Sequence, residues 1–352
     1  MMLYDITKDW DENNRQGPYL PDNPPSLPAR VPSRYQLLGL PLNSRFGLAA
    51  CPLTANAAWV KAVSRLGYDL LTYKSVRSIP WGGNTFPHWK YVDVPAGTDL
   101  RSYDAALVAA DRRLDNQDVS MANSFGVYSS EPSIWQADFN KATDSLLPGQ
   151  LLILSVMPSH RESRTLAGEI EELARLAADT QAKVVEINFA CPNTDSGKGL
   201  IYENVDQMVS LLRLAKNILV GRKLLAKIGY YKDAGDLARL LKETQGVLDG
   251  VSSMNTYSAS IRNNDGKETF PGRSSAGVSG AAIRSMAMQQ AEELVRMKKE
   301  LKLDTLAVIG IGGVTVPAHI DGYLSLGVDA VQCAVGAYQD PLLAYKYLQT
   351  LS

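Results

Sequence analysis

From residue 46 onward, the chain alternates short apolar runs with segments whose apolar residues recur every three or four positions. The run from Leu151 to Met157, for example, is followed by a stripe that starts with Leu166 and Ile170. Such a run predicts a buried strand, and such a stripe predicts an amphipathic helix. There are eight of these units, with strands expected at residues 46–51, 69–73, 151–157, 184–187, 223–228, 247–254, 306–311 and 330–335. Eight parallel strands predict an α/β fold of the (β/α)8 TIM barrel type, and a doubly wound open sheet is the alternative.

Three segments interrupt this alternation. Residues 1–45 are rich in proline, which breaks any periodicity, so they predict an extended arm that wraps the barrel domain of residues 46–352. The stretch between the second and third strands, which ends at Gly149, is too long for a simple crossover and predicts an insertion over one end of the fold. This insertion contains a ninth strand candidate, Val119–Ser124. Between Met254 and Ala281 we expect an irregular loop, because Gly, Ser and Asn are frequent there.

Composition and charge indicate a small-molecule partner. The chain has 352 residues, 36 of them basic and 37 acidic, without runs of like charge, so neither nucleic acid nor an anionic membrane is indicated. Three widely separated cysteines match neither a disulfide framework nor a zinc site, and three scattered histidines do not suggest a metal centre. We find no membrane span and no apolar signal-peptide core. The sequence therefore predicts a cytoplasmic protein without a metal site.

The stretch from Val184 to Asn193 carries the densest candidate chemistry. A mostly apolar run ends at Asn188, and Pro192 then prevents further strand pairing because it has no N–H group. The loop holds two carboxamides, Asn188 and Asn193, and one thiol, Cys191. A carboxamide presents a donor and an acceptor together, which suits the alternating C=O and N–H groups of a pyrimidine, and a thiol can transfer a proton. Turn chemistry and a buried cysteine are the alternative interpretation.

Two lysines and three glycines also lie at predicted strand ends. A lysine on a buried strand face needs an anionic partner, so Lys74 and Lys227 are candidates to neutralise a reduced flavin or a substrate carboxylate. The alternative is that they extend to solvent. Gly312, Gly313 and Gly336 follow the last two strands, where barrels commonly hold a phosphate through backbone N–H groups. Ordinary tight turns are the alternative for these glycines.

Seven motifs follow one another in the strand-end loops. They are Thr72-Tyr73-Lys74-Ser75, Asn123-Ser124-Phe125-Gly126, Asn188-Phe189-Ala190-Cys191-Pro192-Asn193, Ser253-Met254-Asn255-Thr256, Ala276-Gly277-Val278-Ser279-Gly280, Ile309-Gly310-Ile311-Gly312-Gly313 and Val335-Gly336. In order and spacing, this set resembles the motifs of the class 1 dihydroorotate dehydrogenases, including their Asn-x-Ser-Cys-Pro-Asn loop. The resemblance covers nearly the whole chain from Phe46, and several ordered motifs are far more specific than any one alone.

The resemblance implies an FMN-dependent barrel that oxidises dihydroorotate to orotate in de novo pyrimidine biosynthesis. Cys191 would remove a proton from C5 while a hydride passes from C6 to flavin N5, and Lys227 would stabilise the negative charge of the reduced flavin. The implied substrate-binding residues are Lys74, Asn123, Asn188, Asn193, Asn255 and Thr256. The implied FMN-binding residues are Ala49, Ala50, Lys74, Ser75, Asn123, Asn188, Lys227, Asn255, Ser279, Gly280, Gly312, Gly313, Gly336 and Ala337.

Three departures from the family pattern bear on this interpretation. The family commonly continues its Asn-Ser-Met-Gly loop with Pro and Asn, whereas this chain has Val127-Tyr128-Ser129-Ser130. That loop approaches the substrate carboxylate, so another flavin-dependent dihydropyrimidine oxidoreductase, for example one acting on dihydrouracil, is the alternative. In addition, a family Gly-Thr is Gly336-Ala337, and a family glycine is Cys51. A phosphate-binding barrel without redox activity is the alternative from another class.

The expected partners follow from the resemblance. A cysteine base points to the soluble class, and a homodimer is expected. The electron acceptor stays open between fumarate, NAD and other oxidants. Because this chain has no cysteine cluster of its own, a separate iron–sulfur electron-transfer subunit is also an open alternative.

Overall fold

The computed structural model describes residues 3–20, 25–28, 32–95, 98–112, 118–190 and 200–351. Its strands, in chain order, are β1 (Tyr35–Leu37), β2 (Leu40–Leu42), β3 (Phe46–Leu48), β4 (Leu70–Val76), β5 (Trp89–Asp93), β6 (Leu107–Ala110), β7 (Ser120–Asn123), β8 (Leu151–Val156), β9 (Val184–Asn188), β10 (Lys223–Ile228), β11 (Gly250–Ser253), β12 (Tyr257–Arg262), β13 (Ser275–Gly280), β14 (Ala307–Ile311) and β15 (Ala330–Cys333). Its helices are α1 (Trp10–Gln16), α2 (Ala57–Arg65), α3 (Pro132–Asp144), α4 (Leu166–Ala178), α5 (Val205–Ile218), α6 (Ala234–Glu243), α7 (Arg284–Glu300), α8 (Pro317–Leu326), α9 (Val335–Gln339) and α10 (Leu343–Thr350).

Eight parallel strands form a closed barrel, in the order β3, β4, β8, β9, β10, β11, β14 and β15, with β15 pairing back to β3. The predicted (β/α)8 barrel is thereby confirmed, and the closed order excludes the open-sheet alternative. Apolar side chains from alternate strand positions fill the interior; they include Leu70, Ile153, Val184, Leu225 and Ile309. The carboxyl ends of all eight strands therefore meet at one face, where barrel enzymes build their sites.

The barrel helices begin where the sequence supplies capping side chains. Asn56, Thr165, Asn204 and Asp233 accept hydrogen bonds from backbone N–H groups in the first turns of α2, α4, α5 and α6. These helices bury their apolar faces in the core; in α6, for example, Leu237, Leu240 and Leu241 are buried. In the described part of the chain, no helix combines the length and apolar character that a bilayer crossing requires.

A second, five-stranded sheet is built from two segments that follow the carboxyl ends of barrel strands. Its order is β12, β13, β7, β5 and β6, and β12 also pairs with β6. Strands β5, β6 and β7 belong to the stretch after β4, whereas β12 and β13 follow β11. The expectation of an irregular loop between Met254 and Ala281 is therefore wrong. Residues 257–262 lack a clear apolar alternation, and they form a strand because β13 and β6 provide partners from distant parts of the chain.

The N-terminal segment differs from the extended arm expected for residues 1–45. Asp9 caps the short helix α1, and β1 and β2 form a hairpin. Leu37 and Leu42 of this hairpin join the apolar interior of the barrel, so the hairpin covers its amino-terminal end. At the other side of the segment, Tyr4 is buried against Trp59, with ring centroids 5.8 Å apart. The segment thus contributes side chains to the core.

Most barrel strands differ from their predicted bounds; the sixth, for example, spans Gly250–Ser253 and not 247–254. The first strand ends at Leu48 and not at Cys51, and Pro52 opens a short 3-10 turn four residues later. The second strand continues through Lys74 to Val76, with an irregular register between Tyr73 and Val76. Lys74 is therefore part of the barrel wall.

Candidate active site

One cavity at the carboxyl end of the barrel gathers most of the residues singled out in the sequence. Its void measures about 1040 Å³, including the space open to solvent. Of the predicted residues it is lined by Ala49, Ala50, Lys74, Ser75, Asn123, Asn188, Lys227, Asn255, Thr256, Ser279, Gly280, Gly312, Gly313 and Gly336. A concave site with a few convergent polar groups is the usual form of a small-molecule site.

Three predicted residues are not placed in this cavity. Ala337 is fully buried in α9, and its backbone N–H bonds to the Cys333 thiol, so it does not face the cavity. Cys191 and Asn193 lie outside the described residues. The roles predicted for these two remain predictions.

The carboxamides in the cavity are joined in a hydrogen-bond network. Asn255 Nδ2 donates to Asn188 Oδ1 at 3.1 Å and to the Ala190 carbonyl at 3.2 Å. Asn255 Oδ1 accepts from the Thr256 N–H at 2.8 Å. On the second sheet, Asn123 Nδ2 donates to the Gly277 carbonyl at 3.0 Å, which leaves its Oδ1 as an acceptor. These contacts fix the amide orientations before a ligand arrives.

Two buried lysines bring positive charge into the same cavity. Lys74 is 8 % exposed and Lys227 is 4 % exposed, so neither extends to solvent. Both charges act on the neighbouring thiol of Cys51, where they oppose the effect of burial, but burial prevails and raises the pKa of Cys51 to about 11. Cys51 is therefore a neutral thiol at pH 7 and a poor candidate for a base.

A carboxylate lies one layer deeper in the barrel. Glu186 is two residues before Asn188 on β9, so both side chains point to the same side of the strand. It is fully buried, and both of its carboxylate oxygens have no hydrogen-bond partner among the described residues. Glu186 therefore places a polar side chain beneath Asn188, inside the barrel.

The cap loop, defined as residues 124–128, lines the cavity through Phe125, Gly126 and Val127. Its carbonyl groups are held from behind. The Asn84 side chain and backbone N–H donate to the carbonyls of Ser124 and Phe125 at 3.2 and 3.0 Å. Arg77 donates to the carbonyls of Gly126 and Val127 at 2.9 and 3.1 Å. The N–H groups of Phe125, Gly126 and Val127 have no partner among the described residues and remain available to a ligand.

Aromatic packing supports the cap loop from outside. The ring of His88 stacks on Phe125 with a centroid distance of 5.4 Å, and its Nε2 lies 2.9 Å from the Asn84 carbonyl. Trp10 of α1 stacks on Tyr128 at 4.7 Å and 8°. Burial lowers the pKa of His88, so the imidazole is neutral at pH 7. The N-terminal segment thus contributes to the shape of the cavity.

The glycine loop, defined as residues 311–314, is held in a similar way. The Met254 N–H donates to the carbonyl of Ile311 and the Tyr323 hydroxyl to that of Gly312, both at 2.8 Å. Arg284 Nε donates to the carbonyl of Gly313 at 2.7 Å. The N–H groups of Gly313 and Val314 have no partner among the described residues. Two backbone donors are therefore free on this side of the cavity.

The sequence did not indicate the residues that hold the backbone carbonyls of the two loops from outside the cavity. Arg77, Asn84 and His88 lie in the insertion, where no periodic pattern indicates which side chains turn inward. Arg284 lies in α7, outside every motif singled out in the sequence. One signal for Arg77 was present, since it comes three residues after Lys74 in a segment that continues a buried strand.

The fold and the site together define a barrel enzyme with a polar small-molecule cavity at the carboxyl ends of its strands. The sequence profile of the family described as dihydroorotate dehydrogenase matches residues 115–352. The chain therefore belongs to the dihydroorotate dehydrogenase family, a family of flavin-dependent oxidoreductases that act on CH–CH bonds.

Individual relatives agree with this membership. The dihydroorotate dehydrogenase of Dictyostelium discoideum is 29% identical over 363 residues, which cover 98% of this chain and 96% of the relative. Subunit PreA of the NAD-dependent dihydropyrimidine dehydrogenase of Escherichia coli K12 is 28% identical over 203 residues, or 54% of this chain and 46% of that protein. The crystal structure of DHODH from Eimeria tenella in complex with ferulenol superimposes with a TM-score of 0.70 at 19% identity, covering 95% of this chain and 86% of that chain, and this likeness shows the fold.

Proposed function

We propose that this protein oxidises dihydroorotate to orotate, with FMN as cofactor and Cys191 as the catalytic base of a class 1 enzyme. The observation that carries the proposal is the composition of the cavity at the carboxyl end of the barrel. It combines carboxamides that can bind a pyrimidine ring, a buried lysine, and backbone N–H groups on the cap loop that have no partner among the described residues. These groups match a pyrimidine ring that bears a carboxylate.

The carboxamides would bind the ring. Asn123 keeps a free Oδ1, and Asn188 and Asn255 hold each other in fixed orientations. A pyrimidine edge alternates C=O and N–H groups, so preoriented amides can pair with it without a large loss of side-chain freedom. Asn193 would complete this set.

The substrate carboxylate would lie against Lys74 and the cap loop. Lys74 supplies a buried positive charge, and the N–H groups of Phe125, Gly126 and Val127 supply directed donors. Hydrogen bonds to a charged group are roughly twice as strong as those between neutral groups. This arrangement favours an anionic substrate over a neutral one.

The residues around the rest of the cavity fit FMN. The free N–H groups of Gly313 and Val314 suit a phosphate, and Gly336, Ser279 and Gly280 also line this cavity. Lys227 brings a buried positive charge to it. Ala49, Ala50 and Ser75 complete the lining proposed for the cofactor. When bound, FMN supplies the acceptor for the hydride that leaves C6 of the substrate.

The proton at C5 would move to the thiolate of Cys191. A free cysteine has a pKa of about 8.5, so a few per cent of thiolate is present at neutral pH before any tuning by the site. Cys51 also lines the cavity, but its raised pKa, about 11, argues against it. The assignment of Cys191 therefore rests on the resemblance of the motif Asn188–Asn193, which begins at the last residue of β9.

The test is anaerobic reduction of the FMN-loaded protein, followed by its visible absorbance. Dihydroorotate should bleach the flavin band, and dihydrouracil at the same concentration should leave it intact. Bleaching by dihydrouracil alone would favour the alternative, a dihydropyrimidine oxidoreductase, to which the similarity with PreA also points. Reoxidation of the reduced protein with fumarate, NAD and quinone would then identify the electron acceptor, and dependence on an added iron–sulfur subunit would identify a partner.

A further inference from the structure

Arg77 controls the backbone of the cap loop without lining the cavity itself. It is 8 % exposed, and its Nη2 and Nε donate to two successive carbonyls, those of Gly126 and Val127. A third contact, from Nη1 to Ser159 Oγ at 3.3 Å, fixes the guanidinium plane. One planar group therefore sets the orientation of two consecutive peptide units.

This orientation determines where the N–H groups of Val127 and Tyr128 point, because each shares a peptide unit with a carbonyl that Arg77 holds. In a trans peptide the carbonyl and the following N–H point in opposite directions, so capturing the Gly126 carbonyl turns the Val127 N–H away from Arg77. Hydrogen bonding of a carbonyl to a charged donor also polarises the peptide and strengthens its N–H as a donor. Arg77 thus prepares the loop to bind an anion on its opposite side.

The loop backbone needs such support. Gly126 and Val127 both have left-handed backbone conformations, with φ values of 70° and 57°. For a β-branched residue this conformation is a genuine outlier, of the kind that persists only when surrounding contacts enforce it. The two hydrogen bonds from Arg77 are the contacts that enforce it here.

Arg77 is itself held in place by its neighbours. Its backbone N–H donates to Ser129 Oγ at 2.9 Å, and its carbonyl accepts from Trp135 Nε1 at 3.1 Å. The guanidinium carbon lies 5.4 Å from the centroid of the Trp81 ring. The side chain is therefore a rigid part of the site.

We propose that Arg77 is a positioning residue that makes the cap loop a carboxylate-binding site, so that the enzyme selects an anionic dihydropyrimidine. This inference rests on the proposed function, because it concerns the same substrate and cavity. This role differs from a general stabilisation of the fold, because a change at Arg77 should weaken the binding of anionic ligands and not that of neutral ones.

The experiment measures binding of orotate to the FMN-loaded protein from the perturbation of the flavin spectrum, for wild type, Arg77→Gln and Arg77→Lys. Arg77→Gln should raise the Kd for orotate by about tenfold or more, because two charge-assisted contacts are lost. Arg77→Lys should also raise it, since one ammonium group cannot hold both carbonyls in the geometry of the guanidinium. Methyl orotate, which carries a neutral ester, should bind wild type and Arg77→Gln with similar affinity.

Arg222→Gln is the matched control. Arg222 also donates to two backbone carbonyls, those of Ala178 and Thr180, but these lie before the amino-terminal end of β9. The Arg222→Gln variant should keep an orotate Kd within threefold of wild type, even if its thermal stability changes. A wild-type orotate Kd in Arg77→Lys would show that charge alone matters and would overturn the proposal. An equal loss of orotate and methyl orotate binding in Arg77→Gln would overturn it as well.

The proposed function and the proposed role of Arg77 can fail separately. If wild-type protein neither binds orotate nor is reduced by dihydroorotate, the proposed function fails whatever the variants do. If wild type responds to both compounds and Arg77→Gln binds orotate as wild type does, only the role of Arg77 fails. Should Arg77→Gln fail to fold, Arg77→Lys alone decides the question through the same titration.

Discussion

The cap loop and the glycine loop line the same cavity and are held by the same device. In each, an arginine outside the cavity lining donates to backbone carbonyls, and the N–H groups of the loop are left free: Arg77 acts on Gly126 and Val127, and Arg284 acts on Gly313. Both loops contain a glycine in the left-handed conformation, with φ of 70° at Gly126 and 67° at Gly313. We infer that a loop binds an anion through its N–H groups only when other residues hydrogen-bond to its carbonyl groups and so fix the orientation of its peptide units.

The two loops differ in how far their supports lie along the chain. The glycine loop is supported by residues of the barrel itself, Arg284 of α7 and Tyr323 of α8. The cap loop is supported by residues 77–88 of the insertion and by Trp10 of the N-terminal segment. A local loop of this type can be anticipated from its glycines, whereas a loop assembled from distant segments cannot.

The support of the glycine loop includes an ion pair. Arg284 is paired with Asp118, which accepts a further hydrogen bond from Thr315 at 2.8 Å. Burial alone would raise the pKa of Asp118, but the hydrogen bonds from Arg284 and Thr315 outweigh it and hold this pKa below its usual value. The glycine loop therefore has a neutral ion pair behind it. Arg77, behind the cap loop, contacts Ser159 Oγ and the Trp81 ring.

The largest expected effect comes from Cys191, whose proposed role is in proton transfer and not in the binding of a ligand by either loop. Cys191→Ala should slow flavin reduction by dihydroorotate roughly 10²–10⁴-fold, the usual contribution of a positioned general base. The Kd values for FMN and orotate should change little, because the thiol belongs to neither loop. Stopped-flow reduction and equilibrium titrations check the two halves of this expectation. Cys51→Ala is the matched control, and a rate for Cys191→Ala within a few-fold of wild type would contradict the assignment of the base.

The next effect tests whether the two loops serve different ligands. Gly126→Ala should weaken orotate binding, because the added Cβ would lie 2.4 Å from Asn84 Oδ1. Gly313→Ala should weaken FMN binding, because its Cβ would lie 2.4 Å from the Arg284 Cβ. We expect losses of more than tenfold for the matching ligand, since a left-handed alanine costs about 1 kcal/mol before any clash.

Gly246→Ala is the control for these two variants. Gly246 has a φ of 76°, but nothing lies within 4 Å of its would-be Cβ. It should lower thermal stability through backbone strain alone and leave both Kd values near wild type. If Gly126→Ala and Gly313→Ala each weakened both ligands equally, the division between the loops would be wrong.

A smaller effect is expected from the support of the glycine loop. Arg284→Gln removes a charged hydrogen bond to the Gly313 carbonyl and leaves Asp118 without its ion pair. Because a hydrogen bond to a charged group contributes about 1.5–3 kcal/mol, the Kd for FMN should rise about tenfold or more. Fluorescence titration of the apoprotein with FMN measures this. An unchanged Kd would mean that the loop keeps its shape without the arginine.

The smallest effect concerns pH and His88. Burial lowers the pKa of His88 against the opposing influence of the Asn84 carbonyl and of Asp9 and Asp11. Because the folded-state pKa lies below the unfolded value of about 6.5, the stability that His88 contributes is complete above pH 6.5 and is lost as the pH falls through the folded pKa. Urea unfolding of wild type between pH 7.5 and 5.5 should therefore show a decline that His88→Gln reduces. Parallel curves for the two proteins would refute this.

The barrel could be predicted from the sequence because each of its units carries its own signal. The strand predicted for 223–228 matches β10, and the stripe that starts with Leu166 and Ile170 lies in α4, since apolar runs and spaced stripes are local patterns. The second sheet could not be anticipated in full. β12 is a strand because β13 and β6 pair with it, and Tyr257–Arg262 alone does not show that pairing.

The candidate site divides in the same way. Residues at strand ends, such as Lys74, Asn188 and Gly313, were selected from the sequence and line the cavity. Ala337 was selected by its place in a motif, but it is fully buried in α9, and its backbone N–H donates to the Cys333 thiol. Arg77 was missed because its function depends on the backbone of a loop about fifty residues further along the chain.

The most direct test of the account is a crystal structure of the protein with FMN and orotate bound. The account predicts that the orotate carboxylate contacts Lys74 and the N–H groups of Phe125–Val127, while the FMN phosphate contacts the N–H groups of Gly313 and Val314. Arg77 and Arg284 should keep their bonds to the loop carbonyls. An orotate carboxylate bound away from the cap loop, or a phosphate bound away from the glycine loop, would contradict the central claim.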